Sequence, residues 1–276
     1  MEQRYEVAPR EVEMMNTDDL RENFLLESVF EADEVVMLYS HYDRMVFGGV
    51  FPASKSLSLG NFERLKSQYF LERREIGIIN IGGSGSITAD GTTYELEGLS
   101  CLYLGKGTKE VSFSSKGKDS AAKFYCFSAP AHASLPNKLF TKEDALPVTL
   151  GSSETSNHRT IYKYIHGEGI DSCQVVMGLT VLQSGSVWNT MPPHTHDRRS
   201  EVYLYFDIPE SQGVMHFMGE PTETRHLWVQ NEQAIISPPW SIHAGAGTGA
   251  YSFIWAMAGE NKDFTDMDFL SLNEIR

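Results

Sequence analysis

From Glu34 onward the apolar residues come in short runs that alternate with Gly or Asp turns. Val35-Val36-Met37-Leu38-Tyr39 and Ile76-Gly77-Ile78-Ile79-Asn80-Ile81 are too short for helices and rich in β-branched residues, as strands are. Ser86-Ile87-Thr88-Ala89 and Thr92-Thr93-Tyr94-Glu95-Leu96 flank Asp90-Gly91, a pattern that predicts a hairpin with a two-residue turn. Further strands are predicted at Leu102–Leu104, Val111–Phe113 and Lys123–Phe127, then at Arg159–Ile165, Gln174–Leu182 and Val202–Phe206. The series ends with Val214–Met218, His226–Val229, Gln233–Ile236 and Tyr251–Met257.

Many short strands with regular turn signals predict a sandwich or barrel. Helical signals are few. Asn16-Thr17-Asp18-Asp19 supplies N-cap residues ahead of Leu20–Leu26, and Thr141–Ala145 reads as a short capped helix. Thr149-Leu150-Gly151-Ser152-Ser153 reads as a polar linker. We therefore expect two β-rich units, 1–150 and 151–276, in a duplicated architecture without a strong residue-level repeat.

Composition narrows the class. The 276 residues are 41% hydrophobic and 22% charged, as in a soluble globular protein, and no run of about 18 apolar residues predicts a membrane span. The start of the chain has no signal-like apolar region, and Cys101, Cys126 and Cys173 are too scattered for a disulfide framework or a thiolate metal site. We expect a cytoplasmic protein. A net charge of −14 argues against nucleic-acid or anionic-membrane partners. The same field repels an acidic small molecule unless a local cation offsets it, which directs attention to the arginines.

The chemistry concentrates in Pro192-Pro193-His194-Thr195-His196-Asp197-Arg198-Arg199-Ser200-Glu201. In an extended chain His194 and His196 project from one face, and a divalent ion accepts two imidazoles so offered. A turn or bulge between Asp197 and Ser200 brings Glu201 to them. Downstream, Ser237-Pro238-Pro239-Trp240-Ser241-Ile242-His243 runs from a strand through prolines to a fourth candidate ligand. On the motif strand Tyr203 and Tyr205 share the parity of Glu201 and should point inward, while Val202, Leu204 and Phe206 face another layer. The remaining histidines, His41, His132, His158, His166, His216 and His226, lack paired spacing and read as structural. The first half has glycine turns at Gly82-Gly83-Ser84-Gly85 but no comparable histidine pair.

Together the two histidine motifs resemble those of the cupin superfamily, with Trp240 where a glycine is usual and Gly185 farther upstream than the family's glycine. Longer strings resemble the 5-keto-4-deoxyuronate isomerases (4-deoxy-L-threo-5-hexosulose-uronate ketol-isomerases). They include Tyr69-Phe70-Leu71-Glu72-Arg73-Arg74-Glu75, Trp188-Asn189-Thr190-Met191-Pro192-Pro193-His194-Thr195-His196-Asp197-Arg198-Arg199, Phe217-Met218-Gly219-Glu220-Pro221 and Ala258-Gly259-Glu260-Asn261. The likeness runs through nearly the whole chain.

This resemblance implies a mostly β, two-barrel (bicupin) antiparallel jelly-roll protomer with a few short helices, and a first barrel without metal ligands. It carries the ligand roles to His194, His196, Glu201 and His243. One Zn2+ per subunit is implied, although the donor set suits other divalent metals. A homohexamer and a place in pectin breakdown are implied too.

The implied reaction turns an aldehyde beside a hydroxyl into a ketone, through an enediol. The substrate is a small sugar acid, whose carboxylate calls for a cation. Arg198, Arg199, Arg159, Arg225 and Lys163 are candidates, with Arg225 and Lys163 preferred; Tyr203 and Tyr205 are candidate substrate contacts. No unliganded carboxylate or histidine stands out as the base. Two other readings share these ligands: a non-catalytic metal-stabilised cupin that binds a sugar acid, and a metal-dependent dioxygenase.

Overall fold

A computed structural model describes residues 1–117, 120–260, 262–263 and 265–276. Asn261, in one of the resembling strings, lies outside the described residues. The chain is mostly β and antiparallel. Each half is built on a seven-stranded and a four-stranded sheet, the second large sheet borrowing Leu25–Leu26 from the first half.

The first large sheet runs in the order Glu2–Arg4, Val35–Ser40, Val46–Val50, Phe124–Pro130, Arg74–Asn80, Cys101–Leu104, Lys138–Phe140. The second runs Val148–Leu150, Arg159–Ile165, Val176–Leu182, Ser252–Gly259, Arg199–Phe206, Gln233–Ser237, Leu25–Leu26. Gly85–Ala89 and Thr92–Leu96 form the expected hairpin in the first small sheet. Its turn residues Asp90 and Gly91 have φ of 44° and 82°, the left-handed pair that a two-residue turn requires.

The two large sheets correspond strand by strand, and the register makes the correspondence residue-specific. Ile76 pairs with Leu104, the last residue of its neighbouring strand, and Glu201 pairs with Ser237, the last of its own. On the other side Ile76 faces Ser128 and Glu201 faces Met257, each two positions before its strand ends. Ile76 thus holds in the first barrel the place that Glu201 holds in the second. Arg74 and Arg199 are equivalent by the same register, and both are buried, at 6% and 1% exposure. The repeat was invisible in sequence because the matching interiors differ in chemistry. Ile76, Ile78, Leu102, Leu104, Phe113 and Phe124 fill the first barrel with hydrocarbon.

Strand parity assigns the remaining faces. Val202 and Leu204 turn away from the second barrel's interior and share a buried cluster with Ile79, Tyr103, Tyr125 and Phe127 of the first large sheet. The halves approach closely enough that a Cβ on Gly77 would lie 2.7 Å from Ile165 Cδ1 and Met177 Sδ, which glycine alone avoids.

Local expectations were revised where long-range pairing intervenes. The helix spans Thr17–Phe24, capped by Asn16, whose side chain accepts from the Asp18 and Asp19 amides at 2.8 and 3.1 Å. It stops before Leu25–Leu26, because those residues become an edge strand against Ile235 and Ala234. Thr141–Ala145 is only a turn closed by Asp144 onto Thr141, too short to bury an apolar stripe. Thr149 and Leu150, expected in a linker, lie in Val148–Leu150, the edge strand of the second large sheet. Strands therefore change from one half to the other between Phe140 and Val148. Among the described residues no helix is long and apolar enough to cross a membrane.

Candidate metal centre

His194 and Thr195 form a two-residue strand, paired with Phe269 and Asp268 near the chain's end. The chain turns through Asp197 and re-enters the large sheet at Arg199, placing Glu201 on the inward face beside both histidines. His243 arrives from the far side, after the turn in which the Ser241 amide donates to the Pro238 carbonyl at 3.0 Å. The candidate ligand atoms of His194, His196, Glu201 and His243 all lie within 4.8 Å of one another. His243 Nε2 is 2.9 Å from His194 Nε2 and 3.0 Å from Glu201 Oε2, and His196 Nε2 is 3.1 Å from the same oxygen.

Hydrogen-bond chemistry explains why such a cluster suits a cation. His196 Nδ1 lies 3.2 Å from the Arg199 carbonyl. A carbonyl only accepts, so Nδ1 carries a proton, and Nε2 is the ring nitrogen turned toward the Glu201 carboxylate. With Nδ1 committed to the carbonyl, Nε2 is the atom that can meet a proton or a metal ion beside that carboxylate. His243 Nδ1 is held by Ser237 Oγ at 3.2 Å, the outer contact that orients a ligating imidazole.

Burial, with His196 and Arg199 adding to it, pulls the His194 pKa down to about 3. Burial also holds His243 well below the usual imidazole range, with the neighbouring histidines contributing. Neutral imidazoles are the form that binds metal. Ligands about 2.0–2.1 Å from a tetrahedral ion stand roughly 3.3 Å apart, close to the spacings here. The residues present fit a divalent metal.

A cavity of about 400 Å³ opens over the cluster. Tyr203 enters it on the same strand face as Glu201, its ring centroid 5.4 Å from that of His243 and its hydroxyl 3.0 Å from Thr190 Oγ1. Burial, then Glu201, raises the Tyr203 pKa well above the ordinary phenol value. Tyr205 also points inward but lies deeper, bonded to His216 Nδ1 at 2.8 Å, and does not line the cavity.

The preferred cations are elsewhere. Arg225 lies on Glu223–Val229 of the small sheet, where it donates to Glu223, to the Thr224 carbonyl and to the Glu13 carbonyl. Lys163 lines a different cleft with His166 and Glu260. Arg198 is an exposed partner of Asp266. Among the described residues Arg159 and Arg199 are the cations that line the cavity. The guanidinium of Arg199 donates to the carbonyls of Asp263 and Asp266, at 2.5 and 3.2 Å. It thereby straps the segment carrying Met267 and Phe269 across the site. Sequence reasoning missed these two residues and Thr180 and Trp255. No local pattern announces a contact that depends on the chain's end pairing with His194–Thr195.

Three imidazoles and a carboxylate gathered inside one barrel of an antiparallel two-barrel fold define a bicupin with a site suited to a metal ion. A model of the KduI/IolB family matches residues 24–272, and the chain belongs to that family. A protein of Halalkalibacterium halodurans, 55% identical over 276 residues and covering all of both chains, is named 4-deoxy-L-threo-5-hexosulose-uronate ketol-isomerase. A relative from Formosa agariphila, 52% identical over 275 residues with 100% of this chain and 98% of its own covered, carries the same name. Among solved structures, an IolB-like protein from Salmonella typhimurium matches with a TM-score of 0.72 at 15% identity, over 90% of this chain and 97% of its own. The formate complex of Lactobacillus farciminis oxalate decarboxylase matches at 0.57 and 11% identity, over 83% and 80%. These structural likenesses bear on the fold alone.

Proposed function

We propose that the protein is a ketol-isomerase converting 5-dehydro-4-deoxy-D-glucuronate (4-deoxy-L-threo-5-hexosulose uronate) to 3-deoxy-D-glycero-2,5-hexodiulosonate. The observation that carries this reading is the convergence of His194, His196, Glu201 and His243 under a sugar-sized cavity, in a chain full-length similar to proteins of that name. Those four residues are the metal ligands, with zinc as the resident ion, one per subunit. Held by these residues, such an ion would supply Lewis-acid polarisation of the substrate carbonyl.

Of the chain's own groups, Tyr203 and Thr190 have assigned parts, and the acceptor of the C2 proton is not assigned to a residue. Isomerisation moves a proton from C2 to C1 while the C1 carbonyl becomes a hydroxyl and the C2 hydroxyl a carbonyl, with no net change in protons. Tyr203, kept protonated by burial, donates its hydrogen to a substrate oxygen, and Thr190 fixes the phenol's direction. Apolar walls from Phe253, Met257 and Ile161 exclude water and strengthen these contacts. The protein works as a homohexamer in the cytoplasm, in the breakdown of pectin-derived uronates.

Zinc-loaded protein incubated with the 5-ketouronate should yield the 2,5-diketo isomer by NMR, without oxygen consumption. Absence of conversion rejects the assignment, and oxygen uptake with iron in its place favours a dioxygenase.

A further inference from the structure

The cavity has one cation whose hydrogen-bonding capacity is largely unspent. Arg199 uses both terminal nitrogens on the backbone carbonyls of Asp263 and Asp266. Arg159 donates from Nη1 to the Asn157 carbonyl at 2.8 Å, and among the described residues its Nε and Nη2 have no protein acceptor. It sits on Arg159–Ile165, the second strand of the large sheet, and Ile161 follows it on the same face into the same cavity. Lys163 shares that parity but lies roughly 13 Å farther along at about 3.3 Å per residue. Lys163 lines the other cleft, and the register shifts just after it, between Lys163 and Ile165.

Beside Arg159 stands a second donor. Thr180 pairs with Ile161, so its side chain neighbours Arg159 diagonally on the cavity face. Its oxygen accepts from Trp255 Nε1 at 3.2 Å, which leaves the hydroxyl hydrogen directed elsewhere. Thr180 is 3% exposed and lines the cavity. A guanidinium edge and a hydroxyl, backed by Trp255 and Leu150, form a pocket for a planar anion. Burial pulls the Arg159 pKa down, as expected of a charge held in apolar surroundings, yet an arginine stays protonated. The protein's net charge of −14 makes such a local cation necessary for an acidic ligand to enter.

We propose that Arg159, assisted by the Thr180 hydroxyl, binds the carboxylate of the sugar acid and sets the site's preference for uronates over neutral sugars. The inference rests on the isomerase reading for the identity of the substrate. Arg225 and Lys163 do not share this role.

The test is calorimetric titration of the zinc-loaded protein with D-galacturonate and with D-galactose, alongside R159Q, R159K and T180V. The wild type should bind galacturonate more tightly than galactose. R159Q should lose about 10- to 100-fold in galacturonate affinity, the range for a hydrogen bond to a charged group, with galactose binding and zinc affinity unchanged. R159K, with the charge but not the fork, should fall between. T180V should lose about 3- to 10-fold for galacturonate alone. In turnover, R159Q should raise KM for the 5-ketouronate far more than it lowers kcat.

A wild type that does not prefer galacturonate overturns the proposal, as does an R159Q that weakens both sugars equally. Should R159Q fold poorly, R159K and T180V decide it by the same comparison. Preference for galacturonate without turnover of the 5-ketouronate upholds the carboxylate pocket and rejects the isomerase reading.

Discussion

The Asp43 carboxylate, in the first half of the chain, accepts from both the amide and the hydroxyl of Ser200, at 2.9 and 2.6 Å. Ser200 directly precedes Glu201, so the hydrocarbon-filled barrel grips the strand that carries this candidate ligand. D43A should cost about 2–4 kcal/mol, from two lost hydrogen bonds to a charged group. It should also weaken zinc binding by about 10- to 100-fold, the usual penalty for disturbing a ligand's support. Urea unfolding and competition with a chromophoric chelator measure the two effects. Unchanged zinc affinity would mean that the contact joins the halves without positioning the ligand.

The reciprocal contact runs the other way. Glu75, equivalent to Ser200 by register, is fully buried. Its carboxylate accepts the Gln174 and Val175 amides on one oxygen, at 2.7 and 2.8 Å, and the Cys173 amide and Tyr103 hydroxyl on the other, at 2.6 and 2.7 Å. Every partner is a donor. E75Q would place an amide NH2 against one of those donors, so we expect a loss of about 2–4 kcal/mol despite the conserved shape. A urea midpoint indistinguishable from wild type would refute this.

Metal removal should act on stability and on turnover together. Without a cation Glu201, His196 and His243 lose the ion that their clustered donor atoms would share. Chelation should lower Tm by about 5–10 °C, as expected for a ligand held at roughly a hundredfold above its Kd. Zinc should restore both Tm and activity, and H243A should lose the response to zinc. Activity and melting that both survive exhaustive chelation would contradict a metal role.

Acid should expose His216. Burial lowers its pKa from 6.5 to about 3, so the folded state holds the neutral ring where the unfolded chain would bind a proton. A depressed pKa contributes stability that is complete above pH 6.5 and is lost as the pH falls toward 3. By pH 5 the loss is about 2 kcal/mol, from 1.5 pH units at about 1.36 kcal/mol each. H216Q should lack that component, so the wild-type advantage over H216Q should shrink by this amount between pH 7.5 and pH 5. An advantage that stays constant with pH would show that His216 does not supply it.

The strands and the paired histidines were legible because their determinants are local. Alternation fixes which residues face inward, and Asp90-Gly91 fixes a turn whatever surrounds it. Parity alone put Tyr203 on the Glu201 face. The cations were not legible: Arg159 and Lys163 share a face and differ only in distance along the strand. Arg225 stands beside a histidine in sequence but on the outer sheet in space. The end of the helix at Phe24 was hidden for a similar reason, since Leu25 and Leu26 answer to strand partners some two hundred residues away.

Ile76 and Glu201 stand at one backbone address in two barrels, and the two copies are open to unequal drift. At Ile76 a substitution is judged by volume, so valine, leucine or methionine can come and go at modest cost. At Glu201 the judgement falls on charge and lone pairs, and almost no exchange is neutral. Relatives of this chain should therefore diverge fastest inside the first barrel while keeping its outer face, where Asp43 and Glu75 meet the second. One half of the protein is free to change its filling because its duty to the chemistry is discharged through its surface.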